Sequence, residues 1–249
     1  MTSAWDSRGE GYASSAVHRH GPSLPKLLAL ARPGRDDVCL DLGTGAGHTA
    51  AALAEHAAHA VGLDLSDGML GAARKLYGGR ENLTFHHAPA HDTGLDGDSF
   101  DLVTARHTLH HHPDPGATLK EAARVLKPGG RLVIADEITP DPEVDGWYDA
   151  LERARDPSHV RAYRLDEWQN LIAEAGLEWV VGDARTVYTL GVAAWVGRTA
   201  RSPAQTEAVH ALFRNADAHA KRTFKIVYDG PAAVRFEMPV ALILAVRAA

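Results

Sequence analysis

The sequence has a single cysteine, Cys39, among its 249 residues, so one chain cannot form an internal disulfide bond. It also lacks a long apolar stretch: the longest run, residues 240–246, is too short to span a bilayer, and no apolar signal region opens the chain. No block of lysine or arginine stands out, and the formal charge is −6. These absences predict a cytoplasmic protein that binds neither a membrane nor nucleic acid.

Apolar residues, by contrast, make up 45% of the chain, which suffices for a sizeable core in one domain with additions. From residue 37 to residue 136 short apolar runs alternate with helical patterns, which predicts a parallel sheet with right-handed crossovers. The predicted strands are residues 37–42, 60–64, 83–86, 100–104 and 131–136, and the helices between them are 48–57, 67–77 and 117–126.

The remaining segments add elements on both sides of this alternation. Helices are predicted at 24–31, 143–155, 166–175 and 203–220, and a further strand at 177–181. Residues 224–228 and 240–246 are predicted to form a strand pair that closes the sheet edge. The predicted fold is a Rossmann-like, doubly wound α/β fold with a mostly parallel sheet, an antiparallel edge and an inserted helical cap.

The most informative stretch is residues 41–47, Asp-Leu-Gly-Thr-Gly-Ala-Gly, between the first strand and first helix of the alternation. Glycines let the backbone turn sharply and let a ligand approach, and the helix that follows offers free N–H groups. Asp64 ends the second strand, where Rossmann-like folds place a ribose-binding carboxylate. The pattern indicates a site for an adenosine-type cofactor; a flexible loop beside a solvated aspartate is the alternative.

Three further segments extend this pattern: residues 61–64 (Val-Gly-Leu-Asp), 99–103 (Ser-Phe-Asp-Leu-Val) and 124–130 (Arg-Val-Leu-Lys-Pro-Gly-Gly). Together with residues 41–47 they resemble the class I S-adenosylmethionine (SAM)-dependent methyltransferases, in particular the small-molecule, ubiquinone/menaquinone-methyltransferase-like group. The resemblance covers roughly residues 36–137. A weaker similarity to uncharacterised bacterial methyltransferases continues through residues 155–161 and indicates no substrate.

The resemblance implies SAM as the cofactor and assigns roles to individual residues. Gly43, Gly45 and Gly47 would line the methionine moiety, with Asp41 positioning its ammonium group. Asp64 would accept both ribose hydroxyls. The other implied cofactor contacts are Thr44 in the glycine turn, Leu65 and Met69 at the adenine, and Arg106 and His107 beneath the methionine and the sulfonium.

One segment departs from the family pattern. The family usually has Gly-Asp-Ala after the third strand, with that aspartate binding the adenine amino group, whereas this chain has Ala88-Pro89-Ala90. Pro89 offers neither a carboxylate nor an N–H. The Ala90 N–H could instead bind the adenine ring, and His91 or Asp92 could bind the adenine amino group.

A histidine cluster follows the fourth strand, at the edge where open α/β sheets keep their active sites. Methyl transfer depends mainly on proximity and orientation, and a general base is needed only where the acceptor holds a proton of high pKa. His110 or His111 is the expected base, with His159 as the third candidate; hydrogen bonding to the loop backbone is the alternative role. No metal is expected, because residues 107–112 and Asp114 lack a helical histidine pair.

The segments that flank the core are predicted to cover the substrate cleft. The chain divides into an N-terminal helical lid (1–35), a SAM-binding core (36–137), a helical substrate cap (138–176) and remaining core strands with an additional helix (177–249). A disordered leader is the alternative for the first 21 residues, and helix packing is the alternative for Trp147. The expected substrate-binding residues are Tyr12, Trp147, Arg153, His159 and Arg161.

The sequence therefore predicts a SAM-dependent enzyme of small-molecule or secondary metabolism whose acceptor atom is oxygen, nitrogen or carbon. The alternative is a SAM-fold protein that uses the cofactor non-catalytically, catalyses a rearrangement or cyclisation, or only binds a ligand. Pro89 favours this alternative, and the intact glycine turn with Asp64 opposes it. An RNA or protein methyltransferase would need a basic surface, which the sequence does not indicate. The sequence is compatible with a homodimer.

Overall fold

The described part of the chain, namely Trp5, Arg19 and residues 21–199 and 202–249, forms a layered α/β structure in our computed structural model. The helices are α1 (Ser23–Ala31), α2 (His48–Ala54), α3 (Asp67–Tyr77), α4 (Pro115–Val125), α5 (Pro142–Arg155), α6 (Leu165–Glu174), α7 (Val192–Gly197), α8 (Pro203–Arg214) and α9 (Ala218–Thr223). The strands are β1 (Val38–Leu42), β2 (His59–Asp64), β3 (Leu83–His87), β4 (Phe100–Arg106), β5 (Leu126–Glu137), β6 (Leu177–Gly191), β7 (Val227–Asp229) and β8 (Ala232–Arg247).

The strands form one sheet in the order β3-β2-β1-β4-β5-β8-β6, and β7 pairs with β8. The five strands from β3 to β5 are mutually parallel, and β8 runs antiparallel to both of its neighbours. This arrangement confirms the predicted mostly parallel sheet with an antiparallel edge. The chain order reverses between β1 and β4, which is the switch point where open α/β sheets bind ligands beyond the carboxyl ends of their strands.

Apolar cores lie on both faces of the sheet, because successive side chains of a strand point to opposite faces. In β4, Leu102 packs into one core and Val103 into the other, and Val133 and Ile134 of β5 alternate in the same way. Helices α1, α2 and α5 contribute to the first core, and α4 and α6 to the second. Strands buried on both faces appear in the sequence as continuous apolar runs, which explains why these were predicted.

The C-terminal strand pairing was predicted wrongly. Residues 240–246 do not pair with residues 224–228; they lie between β5 and β6, with Ile243 opposite both Ile134 and Gly182. The short β7 pairs instead with the first residues of β8. The apolar run therefore lies inside the sheet, where both backbone edges are hydrogen-bonded, and β6 forms the edge.

Three other elements differ from the prediction. Strand β6 extends to Gly191 and pairs with β8 with two register shifts, although only residues 177–181 were predicted. The predicted helix 203–220 is interrupted after Arg214, and α9 restarts where the Asp217 carboxylate accepts a hydrogen bond from the Ala220 N–H. Helix α7 was not predicted. Among the residues described, no helix combines the length and apolarity needed to cross a bilayer.

Cys39 provides a simple test of the core. Its side chain has no exposed area, and burial raises the pKa of the thiol to about 12. Because the thiolate is the reactive form, we expect iodoacetamide at pH 8 to modify the native protein at least roughly 100-fold more slowly than the guanidinium-unfolded protein. Mass spectrometry of timed samples measures both rates, and equal rates would contradict the burial of β1.

Candidate active site

A cavity of about 590 Å³ lies at the carboxyl ends of the parallel strands. Small-ligand sites typically have volumes of about 300–1,000 Å³. Its lining includes the glycine turn after β1, the end of β2, the histidine cluster after β4 and residues of β6, α7 and β8.

The glycines of the turn have separate roles, although all three adopt positive φ. A Cβ on Gly43 would lie 2.0 Å from Thr108 Oγ1, and one on Gly47 would lie 3.0 Å from the Ala73 side chain. At Gly45 (φ +55°) a Cβ would have no atom of the described residues within 4 Å, chain neighbours aside, and this residue lines the cavity. Gly43 and Gly47 thus allow close packing of the protein on itself, whereas Gly45 leaves space for a ligand.

Asp64, at the end of β2, connects the glycine turn to the cavity wall. Its Oδ2 accepts a hydrogen bond from the Gly45 N–H at 2.8 Å, and its Oδ1 accepts one from the Ser66 N–H at 2.9 Å. Desolvation raises the pKa of this carboxyl, and the two backbone bonds oppose that effect. Each carboxylate oxygen has a second lone pair, so Asp64 can accept two further hydroxyl donors while it holds the turn.

Asp41 lies behind the turn, with 1% of its surface exposed. Its two oxygens accept hydrogen bonds from the hydroxyls of Thr44 and Thr104, both at 2.7 Å. Burial raises the pKa of Asp41 to about 6. These contacts fix the turn to β4, and Thr44 rather than Asp41 is at the cavity surface. The ammonium contact assigned to Asp41 stays a prediction.

The residues expected around adenine lie together at one side of the cavity. The Ser66 hydroxyl accepts a hydrogen bond from the Met69 N–H at the start of α3, which sets the position of the first turn. Asp92 donates its N–H to the Pro89 carbonyl at 3.1 Å. Four of the predicted contacts line the cavity here, namely Leu65, Met69, Ala90 and His91. Ala88 and Pro89 line it as well.

Arg106 and His107 also line the cavity, at the end of β4. The Arg106 Nε donates to Thr49 Oγ1 at 2.9 Å. His107 Nε2 lies 3.0 Å from Ser23 Oγ and 3.2 Å from the Tyr188 hydroxyl. Burial and the Arg106 charge lower the pKa of His107 to about 4, so this ring is neutral at pH 7. Tyr188, which was not predicted, thereby connects β6 to α1 and to the end of β4.

Within the described part of the chain, one ring nitrogen of His111 is hydrogen-bonded to protein. Its Nδ1 lies 3.1 Å from the Ser158 carbonyl oxygen, which can only accept, so Nδ1 carries the proton and Nε2 the lone pair. The Trp5 ring packs edge-on against it, with the ring centres 4.7 Å apart. Desolvation in the cavity wall, and the nearby His110, lower the pKa of His111 well below its ordinary value.

His110 and His159 lie on either side of Glu137. His110 Nδ1 is 2.5 Å from Asp136 Oδ1, and its Nε2 is 3.6 Å from Glu137 Oε1. His159 Nε2 is 2.9 Å from Asp149 Oδ1, and its Nδ1 is 3.2 Å from Glu137 Oε1. Burial disfavours the charged form of both rings, but the nearby carboxylates have the larger effect. They raise the pKa of His110, and they raise the pKa of His159 to about 10. Every nitrogen of these two rings faces a protein carboxylate.

Glu137 is a cavity residue that was not predicted from the sequence. It ends β5, lines the cavity and accepts a hydrogen bond on Oε2 from the Tyr148 hydroxyl at 3.1 Å. The neighbouring histidines hold the pKa of Glu137 far below its usual range, although burial opposes this. The sequence could have indicated Glu137 as a cavity residue, because it lies at the carboxyl end of a predicted parallel strand and such sheets bind ligands at that edge.

The predicted substrate residues of the cap mostly contact protein instead. Trp147 packs against Phe224 and donates its Nε1–H to the Leu212 carbonyl, which is the helix-packing alternative. Arg153 pairs with Asp149, and Arg161 with Glu167. None of these three is in the cavity lining, His159 lies behind Glu137, and Tyr12 lies outside the described residues.

Part of the cavity wall comes from β6, α7 and β8. Its residues are Tyr188, Leu190, Trp195 and Met238, and the arginines Arg155 and Arg198 also line the cavity. The Arg155 guanidinium stacks on the Trp195 ring at 4.5 Å and pairs with Glu152 at 2.8 Å. The wall is therefore mainly aromatic and aliphatic. This wall was not predicted from the sequence, because neither the second half of β6 nor any part of α7 was predicted.

Comparison with known proteins agrees with the sequence motifs. A family model described as a methyltransferase domain matches residues 40–134. The uncharacterized methyltransferase YcgJ of Bacillus subtilis is 36% identical over 167 residues, which are 66% of each sequence. The crystal structure of YcgJ superposes with a TM-score of 0.86 at 29% identity, covering 92% of this chain and 100% of that chain.

Two other relatives cover different shares of their own length. The uncharacterized protein YafE of Escherichia coli is 34% identical over 181 residues, 71% of this chain and 86% of YafE. The demethylmenaquinone methyltransferase of Clavibacter sepedonicus is 45% identical over 123 residues, 49% of this chain and 50% of that enzyme. The sequence alignments thus span less than two thirds of YcgJ and of the Clavibacter enzyme.

Proposed function

The chain belongs to the class I SAM-dependent methyltransferases, and on that basis we propose that it methylates a small acceptor molecule held against the wall of β6, α7 and β8. One observation supports this proposal above the others. One cavity is lined both by the glycine turn with Asp64 and by His111 with the wall of β6, α7 and β8. A cofactor held by the first group of residues and an acceptor held by the second would meet in the same cavity.

The residues present fit SAM. The open side of Gly45 leaves room for the methionine backbone, and the two Asp64 oxygens retain lone pairs for ribose hydroxyls. Met69 and Ala90 supply apolar contacts for adenine. SAM, when bound, provides an electrophilic methyl group on a sulfonium, so the protein has mainly to hold and orient the acceptor.

His111 is the proposed general base for an acceptor with an O–H or N–H group. Ser158 holds Nδ1–H, which fixes the ring orientation and leaves the Nε2 lone pair for the acceptor proton. His110 and His159 are less suited, because each of their nitrogens faces a carboxylate. Of the three predicted bases, we therefore assign the role to His111.

The proposed acceptor is a mainly apolar, aromatic or conjugated molecule that carries a hydroxyl or amino group. Trp195, Leu190 and Met238 offer apolar surface, and Trp5 adds a ring next to His111. The similarity to a demethylmenaquinone methyltransferase supports a quinol-like ring as one member of this class.

The function is tested with deuteromethyl-SAM and a panel of aromatic hydroxyl and amino compounds that includes demethylated quinols. We expect an acceptor whose mass increases by the labelled methyl group, with S-adenosylhomocysteine formed in equal amount. An extract from a deletion strain extends the panel to unknown metabolites. If SAM binds but no acceptor in the panel or the extract is labelled, the non-catalytic SAM-fold alternative is supported instead.

Asp64→Ala should weaken SAM binding at least tenfold. Two hydroxyl–carboxylate hydrogen bonds are lost, each worth about 1.5–3 kcal/mol. Isothermal titration calorimetry measures the affinity, and thermal unfolding shows whether the variant is folded. Asp67→Ala is the matched control, since it removes an exposed carboxylate at the start of α3 that is not in the cavity lining. Equal affinities for the two variants would exclude Asp64 as the ribose ligand.

A further inference from the structure

Three buried ligand atoms converge beside the cavity: His110 Nε2, His159 Nδ1 and Glu137 Oε1. The two nitrogens lie 3.6 Å and 3.2 Å from the glutamate oxygen, and all three atoms are within 4.8 Å of one another. The side chains are 7%, 1% and 3% exposed. Donors about 2.0–2.2 Å from a metal ion, at tetrahedral or octahedral angles, are about 2.8–3.6 Å apart. The observed spacing is close to that of a coordination site.

Each histidine is oriented by a second carboxylate. Asp136 accepts the Nδ1–H of His110, so Nε2 is the nitrogen of that ring that would give up its proton to a metal ion. Asp149 accepts the Nε2–H of His159, so Nδ1 has that role in the second ring. In both rings the nitrogen available to a metal ion is thus the one near Glu137. Metal-binding histidines characteristically donate their other N–H to a carboxylate or carbonyl, so this is the outer shell expected around a metal.

Two of the three atoms have no hydrogen-bond partner within the described part of the chain. Glu137 Oε1 and His159 Nδ1 are 3.2 Å apart but poorly aligned for a hydrogen bond, and both are buried. The other oxygen of Glu137 is held by Tyr148. Buried polar atoms nearly always have partners because leaving them unpaired is costly. One cation between the three side chains would satisfy all of them.

We propose that His110, Glu137 and His159 bind one divalent transition-metal ion, such as Zn²⁺ or Fe²⁺. Two imidazoles and one carboxylate are typical ligands of catalytic zinc and of mononuclear non-haem iron, whereas Mg²⁺ and Ca²⁺ prefer oxygen ligands. His110 and Glu137 line the cavity, so the remaining coordination positions face it. The sequence predicted no metal because these ligands come from three separate segments.

The test is titration of Co²⁺ into chelator-treated full-length protein, because Co²⁺ is a coloured substitute for Zn²⁺ and Fe²⁺. All samples carry His219→Gln, which removes the surface group Asp141–Glu143–His219 as a competing site. We expect one Co²⁺ per chain, with visible d–d bands and imidazole scattering in the X-ray absorption spectrum. Glu137→Gln and His159→Gln should weaken binding at least 100-fold.

His112→Gln is the matched control and should bind Co²⁺ normally. His112 also lines the cavity, but its ring nitrogens face the hydroxyls of Thr118 and Thr108. If the protein with intact His110, Glu137 and His159 takes up no stoichiometric Co²⁺, the proposal is wrong, whether or not the ligand variants fold. Unchanged Co²⁺ binding in folded Glu137→Gln and His159→Gln proteins would also overturn it. SAM affinity, measured separately, should not depend on Co²⁺. Failure of the metal proposal would therefore not contradict the proposed methyl-transfer function.

Discussion

Gly45→Val should raise the dissociation constant for SAM at least roughly 100-fold, which corresponds to about 2.8 kcal/mol. Among the described residues, chain neighbours aside, no atom lies within 4 Å of a Cβ at this position, and Gly45 lines the cavity, so we expect the valine branches to occupy ligand space. Calorimetric titration of the folded variant measures the loss. Among the three glycines of the turn, this one gives the clearest test because substitution at Gly43 or Gly47 would first disturb Thr108 or Ala73.

Backbone strain is the competing explanation for any effect at Gly45, because φ is +55° there. Gly230, in the turn between β7 and β8, also has φ +55°, and a Cβ added to it would also have no atom within 4 Å, but it is not in the cavity lining. Gly230→Val should therefore show similar strain in thermal unfolding and unchanged SAM affinity. Normal SAM binding by a folded Gly45→Val protein would place the cofactor elsewhere.

His111→Ala should lower turnover by about 10²- to 10⁴-fold, the usual contribution of a positioned general base. SAM affinity should stay unchanged, because the residue belongs to the group proposed to hold the acceptor. Single-turnover measurement with the acceptor found by deuteromethyl labelling separates methyl transfer from product release. His112→Ala is the comparison variant, since it removes a neighbouring imidazole bonded to Thr118.

His111→Ala should slow methyl transfer much more than His112→Ala does. Equal, near-normal rates in His111→Ala and His112→Ala would show that no base acts from this position, as expected for a carbon acceptor or an already ionised one. His110→Ala is unsuitable as the comparison because it removes the imidazole that pairs with the buried Asp136 and Glu137 carboxylates, and breaking a buried ion pair strongly destabilises proteins.

Elements specified by local signals were predictable from the sequence. The structure has α3 at Asp67–Tyr77, as predicted, because Ser66 caps its start and Gly78 follows its end. The central strands were found because burial on both faces makes them continuously apolar. The family and the cofactor were predicted from four short motifs within residues 36–137, and the comparisons confirm both.

Features that depend on contacts between distant segments were not predictable. Alternating exposure along β6 gave no continuous apolar run, so its second half and the wall residue Tyr188 were missed. The apolar residues 240–246 indicated a strand but not which strands would flank it. His110, Glu137 and His159 belong to three different segments, which meet where the Val160 N–H donates to the His110 carbonyl beside the end of β5.

The central position of β8 has a consequence for protein synthesis. A ribosome releases β5 and β6 before β8, so both strands have an unpaired edge until residues 240–246 have left the exit tunnel. The glycine turn and Asp64 belong to strands that can pair much earlier. The nascent chain should therefore complete its cofactor end first, and acquire the wall that holds an acceptor only when its last strand is inserted.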